Sequence, residues 1–139
     1  MLQLRVFGVD LGKKRIGAAV MDLEIGLPRP LPAINALGSL AKDAAQVAHL
    51  ARIEQASAVV LGLPLMEGEE TRMSSVVRRF GAEVEALGFP VRYVDESLTS
   101  AAAESAMFAA GLKSSERKKR LDSESACQIL LRFKESHGE

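Results

Sequence analysis

Two apolar runs that flank a short turn near the N-terminus constrain the fold of this chain more than any other feature. Residues 2–10 and 15–22 are apolar enough for strands, and the turn between them carries Gly12 and two lysines, so the pattern predicts a β-hairpin. Asp10 stands where the first run stops, at the rim of a buried strand. An aspartate there often only starts the turn. Two acids further along the chain favour a functional carboxylate instead.

The charged residues balance overall but cluster locally. The 139 residues include 18 basic and 18 acidic side chains, so no global field indicates a nucleic-acid partner. Hydrophobic residues make up 47% of the chain, enough to predict one folded domain over 1–139. Basic clusters can form a positive face on a neutral protein or can be solvated surface. Most basic residues lie in three clusters, namely Lys13, Lys14 and Arg15; Arg72, Arg78 and Arg79; and Lys113, Arg117, Lys118, Lys119 and Arg120.

Cysteine content and hydropathy limit the possible environments. A single cysteine, Cys127, excludes an internal disulfide and a cysteine-based zinc site, as expected in a reducing compartment. The N-terminus enters strand-like sequence at once, without a signal-peptide pattern. The longest apolar run, 58–66, is too short to cross a membrane. We therefore expect a soluble, cytoplasmic protein with no membrane partner.

The rest of the chain alternates between helical and strand patterns. The run 58–63, bounded by Pro64, predicts a strand that is buried on both faces and hence parallel to its neighbours. An early hairpin followed by αβ units implies a mixed five-stranded sheet with helices on both faces, the α/β skeleton of the ribonuclease H-like fold. The predicted elements after the hairpin are a short strand over 33–37, a helix over 39–57, the strand over 58–63, a helix over 72–87, a strand over 90–96, a helix from 99 or 100 to 111, a basic loop over 112–120 and a helix over 121–134.

Three acids lie where this topology could bring them together. Asp10 ends the first strand and Glu96 the fifth, and the carboxyl ends of parallel strands share one edge of a sheet. Asp122 begins the apolar stripe of the last helix, although an aspartate there could instead cap the helix. Three converging carboxylates would repel one another unless a cation joined them, and oxygen ligands suit Mg²⁺ or Mn²⁺.

Metal ions and basic residues side by side suit phosphodiester cleavage. Two divalent ions can activate water and stabilise the leaving oxygen. The basic loop directly precedes Asp122, so positive charge lies next to the predicted metal site and could bind the phosphate backbone. The predicted nucleic-acid-binding residues are Lys13, Lys14, Arg15, Lys113, Arg117, Lys118, Lys119 and Arg120.

At these residues the chain resembles a known family over nearly its whole length. The motifs are Gly8-Val9-Asp10-Leu11-Gly12, Arg15-Ile16-Gly17, Gly62-Leu63-Pro64-Leu65, Asp95-Glu96 with Leu98-Thr99, and Leu121-Asp122-Ser123 with Ala126. Together they resemble the YqgF/RuvX family, Holliday-junction-resolvase-like proteins that include pre-16S rRNA nucleases. The resemblance implies a ribonuclease H-like, divalent-metal nuclease in 5′-end maturation of pre-16S rRNA. It also implies that Asp10, Glu96 and Asp122 are the catalytic metal ligands and that Arg15 contacts a phosphate.

Several positions depart from the family pattern. Ser97 stands where the family usually has arginine after Asp-Glu, so one cationic substrate contact is missing. Thr99-Ser100 replaces Thr-Thr, and Met66-Glu67-Gly68 replaces a common Asp-Gly pair. More familiar ribonuclease H-like nucleases place an acid at the end of the fourth strand, where this chain has Gly62-Leu63-Pro64. Glu96 must therefore serve from the next strand.

Other functions compete with this interpretation. Sugar kinases and actin-like ATPases also use an early Asp-x-Gly hairpin, but they close two such domains around a nucleotide, and this chain has one. A non-catalytic nucleic-acid or ribosome-associated domain would suit the missing arginine and neutral charge, whereas the retained acids argue against it. Within the nuclease class, pre-rRNA and branched or single-stranded DNA remain alternatives. So do monomer and homodimer, because resolving a four-way junction would require two sites.

Overall fold

The computed structural model describes residues 4–96 and 114–137, with the backbone alone for 114–122 and 137. Ten elements follow one another in the described residues. They are β1 (Arg5–Leu11), β2 (Arg15–Asp22), β3 (Arg29–Asn35), α1 (Leu40–Ile53), β4 (Ala58–Leu63), β5 (Leu65–Met66), β6 (Glu69–Glu70), α2 (Arg72–Ala86), β7 (Val91–Asp95) and α3 (Ser114–His137).

Five of the strands form one mixed sheet in the order β3-β2-β1-β4-β7. The hairpin pairs β1 with β2 antiparallel, and β3 adds antiparallel to the outer side of β2. On the other side, β4 pairs parallel with β1, and β7 pairs parallel with β4. The predicted hairpin, the buried parallel strand and the mixed five-stranded sheet are therefore confirmed.

Helices cover both faces of the sheet, as predicted. One face packs under α1 and α2 through a core that includes Phe7, Val9 and Leu61. The other face packs under α3, where Val6 and Val60 meet Ile129. Because successive strand residues point to opposite faces, alternate residues of β1 and β4 serve the two cores.

Glycine allows α3 to lie close to the centre of the sheet. A Cβ atom at Gly8 of β1 would stand 2.6 Å from Cγ of Leu130 and 2.9 Å from the carbonyl oxygen of Ala126. Such distances are far inside van der Waals contact, so a side chain at Gly8 would push the helix away. The last helix is therefore seated directly on β1.

The first two helices begin at the capping residues that local chemistry favours. The Ser39 hydroxyl accepts a hydrogen bond from the Lys42 amide at 3.3 Å and thereby caps α1. Thr71 caps α2 in a reciprocal arrangement with Ser74.

Several element boundaries differ from prediction. The third strand covers Arg29–Asn35 rather than 33–37. It is an edge strand, where prolines are tolerated, and its pairing with β2 is irregular at Pro32, between the pairs of Ile16 and Ala18. The first helix ends at Ile53 rather than 57. The predicted loop after Pro64 contains the short hairpin formed by β5 and β6.

The start of the last helix also differs from prediction. The predicted basic loop over 112–120 is wrong from residue 114 onward, because α3 already begins at Ser114. The predicted helix from 99 or 100 to 111 lies outside the described residues.

No helix in the described part of the chain is long and apolar enough to cross a bilayer.

Candidate active site

The carboxyl edge of the parallel strands carries two of the three predicted acids. Asp10 lies in β1, in register with Gly17 of β2, and the strand continues to Leu11. Asp10 is thus part of the sheet rather than the start of the turn. Glu96 directly follows Asp95, the last residue of β7. Since β4 lies between β1 and β7, the two acids start from strands that are not neighbours.

A missing side chain on the intervening strand lets Glu96 cross that gap. A Cβ atom at Gly62 of β4 would stand 2.8 Å from Cδ and 2.9 Å from Oε2 of Glu96. The Glu96 carboxyl therefore occupies the space directly over Gly62, on the face that α3 covers. Asp10 is two residues from Gly8 and so lies on that same face. The two carboxyl groups share a hydrogen bond there.

Burial and mutual repulsion govern the charge of this pair. Removal from water, the hydrogen bond with Asp10 and the negative charge of Asp10 together raise the pKa of Glu96 to about 10. At neutral pH the Glu96 carboxyl is therefore protonated and uncharged.

The backbone that leads into Glu96 is held from two sides. The Glu96 amide donates to the carbonyl oxygen of Leu63 at 3.1 Å, which extends the ladder between β7 and β4 by one bond. The Arg132 guanidinium of α3 donates to the carbonyl oxygen of Asp95 at 2.7 Å. Strand β4 and helix α3 thus both contact the peptide unit that joins Asp95 to Glu96.

The third acid and the basic segment are described only by their backbone. Asp122 stands in α3 one turn before Ala126, whose carbonyl oxygen lies against Gly8. Its side chain is not among those described, so convergence of all three acids stays a prediction. Arg117, Lys118, Lys119 and Arg120 lie in the first two turns of α3. Lys113 lies outside the described residues.

The hairpin cations do not all lie on one surface. Arg15 lines a cleft of about 600 Å³ between β3 and α3, together with Asn35, Ser123, Glu124 and the proline-bearing edge of β3. Lys13 lines a different cleft of about 270 Å³, beside the N-terminal ends of α1 and α2. Lys14 is exposed. Of these three residues, Arg15 lies on the face of the sheet that carries Asp10.

The site includes two residues that sequence reasoning did not assign. Gly62 was visible as the end of an apolar strand, and its lack of a side chain gains meaning only once Glu96 lies above it. Arg132 is one of many charged residues on a helix, and no local pattern marks it. Only the tertiary structure reveals its bond to Asp95.

The donor set suits a hard divalent cation. Asp10 and Glu96 offer only oxygen atoms, and the two carboxyl groups are close enough to hydrogen-bond, so both could contact one cation. A side chain at Gly62 would close this space. In the described part of the chain, no three His, Cys, Asp or Glu side chains are grouped to hold a metal. A complete ligand set would therefore need a further donor, and Asp122 is the residue predicted for that role.

The mixed sheet, with a carboxyl pair at the carboxyl edge of its parallel strands, defines a ribonuclease H-like nuclease. A family model described as "RuvX: Holliday junction resolvase" matches residues 4–135. The chain belongs to the RuvX family. The predicted family and enzyme class are thereby confirmed.

Relatives and solved structures agree with this assignment. A protein of Anaeromyxobacter dehalogenans (strain 2CP-C) is 39% identical over 129 residues, covering 91% of this chain and 93% of the relative. One of Thiobacillus denitrificans (strain ATCC 25259 / T1) is 40% identical over 130 residues, covering 92% and 89%. Both carry the name "Putative pre-16S rRNA nuclease". RuvC of Thermus thermophilus, solved with a Holliday junction substrate, superposes with a TM-score of 0.56 at 16% identity over 96% of each chain, and supports the fold alone.

Proposed function

We propose that this nuclease is divalent-metal-dependent and acts in 5′-end maturation of pre-16S rRNA, with Asp10, Glu96 and Asp122 as its metal ligands. The observation that carries the proposal is the buried convergence of Asp10 and Glu96 from strands that are not neighbours. Burying two carboxyl groups against each other is unfavourable for folding, so a binding role explains their placement better than a structural one. The names of the relatives supply the choice of substrate.

The proposed roles follow from the chemistry of each group. When bound, Mg²⁺ or Mn²⁺ supplies Lewis-acid catalysis of phosphodiester hydrolysis. Asp10 and Glu96 would bind the ion from the carboxyl edge of the sheet, and Asp122 would bind it from α3. Arg15, in the cleft beside β3, binds a phosphate of the strand that enters the site. Lys13, Lys14, Lys113 and the basic start of α3 offset the repulsion between these acids and a polyanion.

The proposed setting is the bacterial cytoplasm, where precursor rRNA is available, with the chain in association with ribosomal precursors. The lone Cys127 is buried as a free thiol, which is consistent with a reducing compartment. The oligomeric state follows from the substrate. Cutting one RNA end needs one site, so a monomer would be sufficient.

A second substrate has support of its own. The family model is described as a Holliday junction resolvase, so a four-way DNA junction is the competing candidate. Symmetric resolution needs two sites that face opposite strands and therefore a homodimer.

One experiment separates these candidates. Purified protein receives a labelled pre-16S rRNA 5′ segment and a four-way DNA junction in parallel, each with Mg²⁺, Mn²⁺ or EDTA. We expect metal-dependent cleavage of the RNA, with loss of cleavage in Asp10→Asn, which keeps the shape of the side chain and removes its charge. Preferential junction cleavage would favour the second candidate. Full activity of Asp10→Asn, or of wild type in EDTA, would rule out the metal-nuclease mechanism.

A further inference from the structure

A single peptide unit, the one between Asp95 and Glu96, is held through both of its polar groups. Its carbonyl oxygen accepts a 2.7 Å hydrogen bond from Nη1 of Arg132. Its N–H donates a 3.1 Å bond to Leu63 of β4. These partners come from different elements and approach the peptide from α3 and from the sheet, so together they fix its plane.

The orientation of this peptide plane helps to set the direction in which the Glu96 side chain leaves the backbone. Glu96 is the first residue beyond the paired part of β7, whose last partner pair is Leu63 and Asp95. Its N–H still bonds to Leu63, so the preceding peptide helps to set the direction of its Cα–Cβ bond. Glutamate also has three rotatable side-chain bonds, and holding its carboxyl against Asp10 requires a fixed starting point.

The side of the Glu96 carboxyl group that faces β4 is also restricted. Cδ and Oε2 of Glu96 lie so close to Gly62 that no side chain fits beneath them, and Ile129 of α3 closes the same space. The backbone of β4 thus forms the floor under the carboxyl group. A methyl group on that floor would have to displace either Glu96 or Ile129.

We propose that Arg132 is a positioning residue for metal binding, which acts by fixing the peptide in front of Glu96, and that Gly62 provides the floor for the Glu96 carboxyl. This inference rests on the proposed function of Glu96 as a metal ligand. Partners that orient a ligand typically contribute 10–100-fold to metal affinity. Arg132 therefore affects the affinity for the ion without touching it.

A purely structural role for Arg132 predicts a different result. Arg92 is a suitable comparison, because its Nη1 also donates to a backbone carbonyl, that of Val91, at 3.2 Å. Arg92 belongs to the same strand as Asp95 but does not contact the peptide of Glu96. If both arginines only support the strand, their removal should affect stability alone.

The test measures Mn²⁺ binding directly by electron paramagnetic resonance, without substrate. We expect Arg132→Met to raise the Kd for Mn²⁺ by about 10–100-fold. Arg132→Lys keeps one donor and should recover part of the loss, whereas Arg92→Met should bind like wild type. Equal affinities of Arg132→Met and wild type would overturn the inference. Absence of Mn²⁺ binding in wild type, or unchanged binding in Asp10→Asn, would instead contradict the proposed function.

Two glycine variants test the role of Gly62 independently of Arg132, and they remain informative if Arg132→Met does not fold. Gly62→Ala introduces a methyl against Glu96 and Ile129, whereas Gly8→Ala introduces one against Leu130 and Ala126 of the same helix. Both variants strain the packing of α3, but only Gly62→Ala touches Glu96. We expect Gly62→Ala to weaken Mn²⁺ binding by about tenfold more than Gly8→Ala. Equal weakening would mean that displacement of α3 explains the effect, and would refute the role assigned to Gly62.

Discussion

Replacing Glu96 with glutamine should stabilise the metal-free protein, and the gain should grow with pH. The native state holds the pKa of Glu96 at about 10, against an ordinary value of 4.5. Between these two values the unfolded chain loses its proton and the native protein keeps it. The native state thus binds more protons, and its free energy of unfolding falls as pH rises, by about 1.4 kcal/mol per pH unit. Glutamine has no proton to lose and escapes this penalty.

The magnitude follows from the same relation. At pH 4 Glu96→Gln should have no stability advantage over the wild type, because Glu96 is then mostly protonated in both the native and the unfolded state. At pH 7.5 the variant should be more stable by on the order of 2–4 kcal/mol. The lower part of that range allows for the cost of burying the amide. For a chain of this length, the gain corresponds to a rise in Tm of about 5–15 °C.

The assay is thermal unfolding in EDTA from pH 4 to pH 9, with Glu69→Gln as a matched control. Glu69 is exposed on β6, so its replacement should leave the curve unchanged. Added Mn²⁺ should reverse the order, because it stabilises the native wild type by binding and should stabilise Glu96→Gln far less. A Tm difference that does not grow with pH would refute the burial argument. Equal stabilisation of both proteins by Mn²⁺ would refute Glu96 as a ligand.

Two further predictions concern the substrate. Replacing the basic residues at the start of α3 by alanine should weaken RNA binding for every sequence alike and reduce the slope of log K against log salt by about 0.7–0.9 for each lost phosphate contact; an unchanged slope would mean that these residues do not bind phosphates. Ser97→Arg, which restores the arginine usual in the family, should raise kcat/KM on one RNA at fixed Mn²⁺ by about tenfold if the new charge acts in the transition state. No change, or a fall, would show that Ser97 is not a weakened substrate contact.

Local patterns were sufficient to predict most of the sheet. The hairpin follows from two apolar runs around a turn, and β4 follows from a continuous apolar run before Pro64, since each pattern is set within a few residues. The start of α3 was not predictable in this way. Residues 114–120 lack an apolar stripe, so periodicity could not distinguish the first turns of a helix from a basic loop.

The site required tertiary information. Sequence reasoning placed Asp10 and Glu96 at one edge of the sheet, but β4 separates their strands. Whether they could meet depended on the space above β4, which no residue pattern within either strand specifies. Arg132 lies 37 residues from Asp95, and their contact arises only because α3 packs back across the sheet.

A last prediction concerns the space over Gly62, which the Glu96 carboxyl occupies from the end of β7. The carboxyl of Glu96 lies within 2.8 Å of the position of a Cβ atom on Gly62. Aspartate at position 62 would carry its carboxyl one bond beyond that Cβ atom, so a rotamer directed toward Glu96 would place the carboxyl in the same space. Gly62→Asp alone should weaken Mn²⁺ binding, because two carboxyl groups would compete for one space.

Combined with Glu96→Ala, the same change should restore a carboxylate beside Asp10. We expect the double variant to bind Mn²⁺ about tenfold more tightly than Glu96→Ala alone, which is a typical effect of one oriented ligand. Gly62→Asn with Glu96→Ala is the matched control, since it has nearly the same shape without the charge. If the aspartate and asparagine double variants bind Mn²⁺ equally, the space over β4 is not the metal site. Glu96 would then contribute to Mn²⁺ binding for a reason other than the closeness of its carboxyl to Asp10.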